Sequence, residues 1–249
     1  MHRPTQATTP PGGQLARHRV KQVLQHAIVT GGIPAGTRLV QSSIAKELAV
    51  GTRQVRDAIR ELAADGFVRL DARGAAVVHE LCWSDLEDIY QIRMLLEPLA
   101  TARAAGSASR DSVMQAVELL AAMETETDAE RWADYNASFH RVIDESGNSP
   151  RLLAILENLR ELSARYVRHS ILAVPDRVRQ ANAEHEQIMR AVIARDPAAA
   201  ADAMLRHLDG TLSTLNVRQL GADPGGAAAA GRRPRSRGRQ HGGACVRGL

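Results

Sequence analysis

One change of pattern near residue 80 constrains this chain more than any other feature. Before it, short amphipathic segments give way to brief alternating apolar runs. After it, the periodicity is helical throughout. Three helices can be read in the first part, over about residues 15–30, 42–48 and 53–65. Val20, Leu24, Ala27 and Ile28 share one side of the first, and Val55, Ala58, Ile59 and Leu62 one side of the third. Gly31-Gly32 stops the first, Ser42 or Ser43 is the expected cap of the second, and Gly66 ends the third. The segment from Ile33 to Gly36 reads as a turn. Residues 67–70 and 75–78 then read as two short strands joined by a hairpin turn at Asp71-Ala72-Arg73-Gly74. Three helices and a β-ribbon in so short a span predict a winged helix-turn-helix.

Beyond residue 80 the spacing predicts helices near 84–105, 109–124, 128–146, 150–172, 175–195 and 197–215. Gly106-Ser107, Gly147 to Pro150, Pro175 and Asp196-Pro197 separate them, and Pro98 is expected to kink the first. Aromatic residues make up only 3% of the chain, so the core must come from Leu, Ile, Val, Ala and Met, which suits helices. The expected fold class is mainly α: a winged helix-turn-helix followed by an all-α antiparallel bundle. The expected boundaries are a disordered start over 1–14, the winged helix over 15–78, the bundle over 79–218 and a disordered basic tail over 219–249.

Charge follows the same division. Residues 1–78 hold 11 Lys/Arg against 5 Asp/Glu, residues 79–220 hold 15 against 22, and residues 221–249 hold 6 against 1. A basic first part suggests a polyanionic partner, and an acidic middle argues that the bundle does not touch nucleic acid. No apolar run approaches the roughly 20 residues of a membrane span, and the start has no apolar region of a secretion signal. Cys82 and Cys245 lie far apart, so no disulfide framework is expected, and a cytoplasmic protein fits.

A helix-turn-helix presents the start of its second helix to the major groove. Here that stretch holds Thr52, Arg53, Gln54 and Arg56. Arg53 can fork onto guanine, Gln54 can pair with adenine, Thr52 can reach a phosphate, and Arg56 can meet a phosphate or a base. The alternative is a solvated charged face, which the wing and the basic balance oppose. The residues from Ile33 to Leu39, Ile44 to Leu48, Val50 to Leu62, Asp65 to Val68 and Arg73-Gly74 resemble the GntR family of bacterial repressors. The family's usual Val-Ser-Arg-Thr-Pro-Val-Arg-Glu-Ala-Leu stretch stands as Val50-Gly51-Thr52-Arg53-Gln54-Val55-Arg56-Asp57-Ala58-Ile59. The resemblance implies that Arg56 contacts DNA. It places the family's first recognition arginine on Thr52, with Arg53 beside it, and the contact at the start of the second helix on Ser42. It also implies that Gly74 is the wing tip approaching the minor groove, with Arg73 next to it.

Three histidines stand where the bundle helices should carry apolar residues. His140 shares a face with Trp132, Tyr135, Phe139 and Ile143; His185 with Ile188, Met189 and Val192; His207 with Ala200, Met204, Leu208 and Thr211. Asn136 lies one turn before His140. Three imidazoles and an amide oxygen can coordinate a divalent ion and leave positions open. A single such histidine is more often a satisfied core residue than a ligand. Phe139-His140 with Ser146-Gly147-Asn148, Glu184-His185 with Ile188 and Asp196, and Ala203-Met204 with His207-Leu208 are similar to the FCD ligand-binding domain found behind FadR-type GntR heads. The resemblance implies that His140, His185 and His207 are metal ligands. It places the commonly aspartate fourth ligand on Asn136, which still offers an oxygen but removes one negative charge. Asp134 is expected to point away. Arg93, followed by Glu97, matches the family's arginine and implies a small carboxylate effector bridging metal and guanidinium. The alternative for Arg93 is a surface pair with Glu97. Arg165 and Arg168 are further candidates for the pocket.

Together these imply a homodimeric, metabolite-responsive repressor that binds operator DNA and a divalent ion, zinc first, with nickel or manganese as other options. The competing classes are a metal-dependent enzyme acting on a small organic acid and a purely structural metal site. Against the enzyme, no obvious general acid or base stands beside the histidines. The Arg-rich run from Arg232 to Arg237 could add non-specific DNA affinity or have no role.

Overall fold

The computed structural model describes residues 11–71, 74–80, 82–173 and 176–222. The chain divides after Glu80 into two compact units. In the first, helix α1 (Pro11–Val29) begins four residues before the expected start, so residues 11–14 are helical; the rest of the disordered start assigned from sequence lies outside the described residues. Proline suits a first helical position, where its missing N–H costs no hydrogen bond. Val20, Leu24 and Ile28 of α1 are buried, as are Val55, Ala58, Ile59 and Leu62 of α3 (Thr52–Ala64), and the two helices pack together. Ion pairs from Arg17 to Glu61 and from Lys21 to Asp65 flank that contact at 3.0 and 2.7 Å.

Helix α2 (Gln41–Glu47) takes Val40 as its N-cap, with no side-chain cap, so Ser42 and Ser43 sit inside its first turn instead of capping it. The reason is the strand before it. β1 (Arg38–Leu39), within a stretch with no readable periodicity, joins β2 (Val68–Leu70) and β3 (Ala76–Val78) in an antiparallel sheet of order β1-β3-β2. Arg38 pairs with Val77 and Val68 with Val78. The turn from α2 into α3 passes through Ala49 in the left-handed region (φ 51). Gly66 (φ 88) follows α3, and the Phe67 N–H reaches the Leu62 carbonyl at 2.9 Å, the closing bond of a Schellman motif.

The second unit, among the described residues, is helical: α4 (Trp83–Ser107), α5 (Arg110–Thr125), α6 (Ala129–Ser146), α7 (Pro150–Ala173), α8 (Arg177–Ile193) and α9 (Pro197–Ala222). α4 runs through Pro98 and packs along α9, and α8 also packs on α9. Ser109 and Asp128 cap α5 and α6 through the Ser112 and Arg131 N–H groups. Arg195 donates to the Ala105 and Ala108 carbonyls, satisfying the end of α4. The core gathers Trp132, Phe139, Ile188, Met204 and Leu208. At about 1.5–3 kcal/mol for each large apolar side chain buried, such a core can hold polar groups at its centre.

Candidate functional site

In the first unit, Gly51 is the N-cap of the recognition helix α3, and the sequence-predicted side chains stand on α3 and, for Ser42, on α2. Ser42, Thr52, Arg53 and Arg56 are exposed and Gln54 is half-buried. Arg53 lies 3.8 Å from Asp57 one turn on, whereas Arg56 has no acidic partner among the described residues. Its charge is therefore fully available to a polyanion. The Gln54 amide folds back over Gly51, where any side chain would collide with it. This places Gln54 at the N-terminus of the helix, the side occupied by the reach-back residue of a capping box. Gly74 adopts φ 74 with open space around it, and the Ala75 N–H donates to the Asp71 carboxylate at 2.8 Å, shaping the turn. Arg73 lies outside the described residues.

In the second unit, α6, α8 and α9 bring His140, His185 and His207 together. Their ring centroids are 5.1 Å (His140–His185), 5.2 Å (His140–His207) and 4.6 Å (His185–His207) apart. One ligand atom from each lies within 4.8 Å of the others, a group able to hold a metal ion. All three are buried, and burial drives His140 and His185 well below the ordinary imidazole range and lowers His207. They are neutral rings with lone pairs to give. Their surroundings fix them: Phe139 lies tilted against His185 at 4.9 Å, and Trp132 stacks at 6.2 Å.

The polar atoms supply the test of fit. The His140 Nδ1, both ring nitrogens of His185 and the Asn136 Oδ1 are buried without a protein partner. Each such orphan costs on the order of 1–3 kcal/mol unless something else satisfies it. His207 differs: its Nδ1 bonds Glu184 Oε2 at 2.7 Å, which leaves Nε2 as the free nitrogen, as in a ligand histidine held by an outer carboxylate. Burial works to raise the Glu184 carboxyl, but hydrogen bonds from His207 and Arg177 prevail and hold it low. Gly210 gives Glu184 the room: a Cβ there would sit 3.2 Å from its Oε1. The donor set therefore fits a divalent ion.

Beside the histidines lies a cavity of about 30 Å³, walled by Arg93, Asn136, His140 and His207 among others. The space suits an ion and a few ligand atoms. Arg93 does pair with Glu97, at 2.6 Å, but the pair is buried instead of lying on the surface. Arg93 also donates to the Ser163 hydroxyl at 3.0 Å and lies 4.6 Å over the Tyr90 ring. Arg160 bridges Glu97, at 2.7 Å, and Asp144. Burial opposes ionisation of Glu97, but Arg160 and Arg93 hold its carboxyl at about 2, while burial pushes Asp144 up to about 6.

Asp134 is exposed, as expected, and pairs with Arg168, which also meets Glu130; Arg168 is not among the cavity walls, and the side chain of Arg165 lies outside the described residues. Sequence reasoning missed Arg177. It is buried, lines the cavity, and donates to Glu184 at 3.2 Å and to Thr211 at 2.8 Å. Its signal was available, because it shares the apolar stripe of α8 with Ala181, His185 and Ile188.

Residues 16–78 match the family described as bacterial regulatory proteins, gntR family, and residues 88–210 match the FCD domain. The gluconate operon transcriptional repressor of Bacillus licheniformis is 26% identical over 175 residues, covering 69% of this chain and 70% of the relative. The HTH-type transcriptional repressor GlaR of Escherichia coli K12 is 28% identical over 197 residues, covering 74% and 89%. The solved structure of E. coli McbR/YncC superposes with a TM-score of 0.71 at 22% identity, covering 82% of this chain and 98% of that one, a likeness of fold.

Proposed function

The chain belongs to the gntR family of bacterial regulatory proteins and carries an FCD domain, and we propose that it is a metal-dependent repressor whose operator affinity is set by a small carboxylate effector. It is a DNA-binding transcriptional regulator and not an enzyme. The curated relatives named above are repressors, which supports that sign of regulation. The observation that carries the sensor reading is the set of buried, unpartnered nitrogens on His140 and His185, gathered with His207 beside the Arg93 cavity.

In this reading His140, His185, His207 and Asn136 hold a divalent ion, zinc first, with nickel or manganese as alternatives. The ion supplies a Lewis-acidic centre for an effector oxygen. Arg93 orients the carboxylate, and Tyr90 and Ser163 hold Arg93. The domain over 15–78 binds operator DNA through Ser42, Thr52, Arg53, Gln54, Arg56, Arg73 and Gly74, and the domain over 79–218 binds the effector. The chain acts as a homodimer. Ile92, Leu95 and Leu99 support this, because they form an exposed apolar stripe on α4 at helical spacing. Among the described residues no helix is long and apolar enough to cross a membrane, and a protein that works on chromosomal DNA fits the cytoplasm. Regulation is then a coupling of two binding equilibria, of the order of 1–3 kcal/mol.

Native mass spectrometry with elemental analysis of the purified protein tests the site. One divalent ion per chain is expected, and His185→Ala should lose it. Full metal content in that variant would contradict the ligand set.

A further inference from the structure

The effector class can be read more closely from charge and free donors. The buried ionic groups around the cavity are already balanced among themselves. Arg93 and Arg160 face Glu97 and Asp144, and Arg177 faces Glu184. The proposed ligands His140, His185, His207 and Asn136 bring no negative charge. A divalent ion there keeps both of its charges, and an uncompensated buried charge is strongly unfavourable.

Two arginines reach the cavity from different helices, Arg93 from α4 and Arg177 from α8. Each is anchored by one carboxylate and one hydroxyl, and each keeps a donor. Arg93 commits Nε to Glu97 and Nη1 to Ser163, leaving Nη2. Arg177 commits Nη1 and Nη2 to Glu184 and Thr211, leaving Nε. The Tyr90 side chain, fully buried against Arg93, completes the same wall.

We propose that the effector is a short dicarboxylate, one end directed to Arg93 and the other to Arg177, so that Arg177 selects diacids over monoacids. This deepens the metal-sensor reading and rests on it. Two separated guanidinium groups match two separated anionic ends, whereas inorganic phosphate concentrates its charge at one. A cavity of about 30 Å³ keeps the chain between the carboxylates short.

Isothermal titration of the zinc-loaded full chain with matched pairs tests this: malonate against propionate, succinate against butyrate, with inorganic phosphate alongside. Zinc retention is followed by native mass spectrometry. At least one diacid should bind tenfold or more tighter than its monoacid partner, and Arg177→Gln should reduce that ratio at least fivefold. Asn136→Asp, nearly isosteric, gives the site a negative charge of its own and should also narrow the ratio; it carries the test if Arg177→Gln loses zinc. Equal binding of monoacids and diacids to the zinc-loaded chain overturns the dicarboxylate inference and leaves the metal-sensor reading standing. Phosphate binding tighter than either diacid overturns it as well. If zinc is not retained, or no acid binds, both readings fall.

Discussion

Arg56 and His185 are opposite uses of a polar side chain. Arg56 stands exposed with no acidic partner among the described residues, so its charge is available to DNA without breaking a described pair. Arg56→Ala should weaken operator binding by about 1–3 kcal/mol if it reads a base; a uniform loss across sequences with a shallower salt slope would assign it to a phosphate. Unchanged affinity and unchanged slope, measured by fluorescence anisotropy at two salt concentrations, would contradict its place on the reading face. His185 is buried with neither ring nitrogen paired to a protein group, a cost that an ion bound to one of them would reduce. The histidines were legible in the sequence because each interrupts an apolar stripe at a fixed helical spacing. Arg177 was not read, although it interrupts the stripe of α8 in the same way. Of its partners, Glu184 lies two turns along α8 itself, and Thr211 is brought to it by the packing of α8 on α9. Arg93 lines the cavity, and its pair with Glu97 is buried, so the alternative of a surface pair does not hold.

At the level of elements, the long helices of the second unit were readable to within a few residues, since periodicity and turn residues agree there. α9 is the exception, continuing to Ala222 beyond the expected end near 215. The small sheet was read less completely. β2 and β3 announce themselves as a hairpin, but β1 has two residues and takes its partner from β3, far along the chain. A strand that short has no pattern of its own. α4 carries the clearest element-scale consequence. Its inner face reaches the cavity through Arg93, while Ile92, Leu95 and Leu99 lie exposed, Leu95 at 76%. Contiguous exposed apolar surface of this kind marks an interface. Leu95→Glu should therefore convert a dimer to a monomer in sedimentation velocity with the helical fold retained by circular dichroism. A dimer that persists unchanged would place the interface elsewhere.

The molecule joins a DNA-reading head of the gntR family to an FCD domain with a buried cage of three neutral histidines. Neither half alone makes a regulated repressor. The head supplies exposed cations and a shaped wing. In the proposed reading, the bundle supplies a centre in which an ion and an acid would be sheltered from water, where their interactions are strongest. The central claim is that occupancy of that centre changes how tightly the head holds DNA. Operator affinity of the full chain measured in three states tests it most directly: stripped with a chelator, reloaded with zinc, and zinc-loaded with the saturating short diacid, malonate or succinate, that binds it more tightly. The account predicts that the zinc-loaded and diacid-bound states differ by about fivefold or more, corresponding to roughly 1 kcal/mol of coupling, and that the diacid has no effect on the stripped protein. Identical affinity in all three states would contradict it.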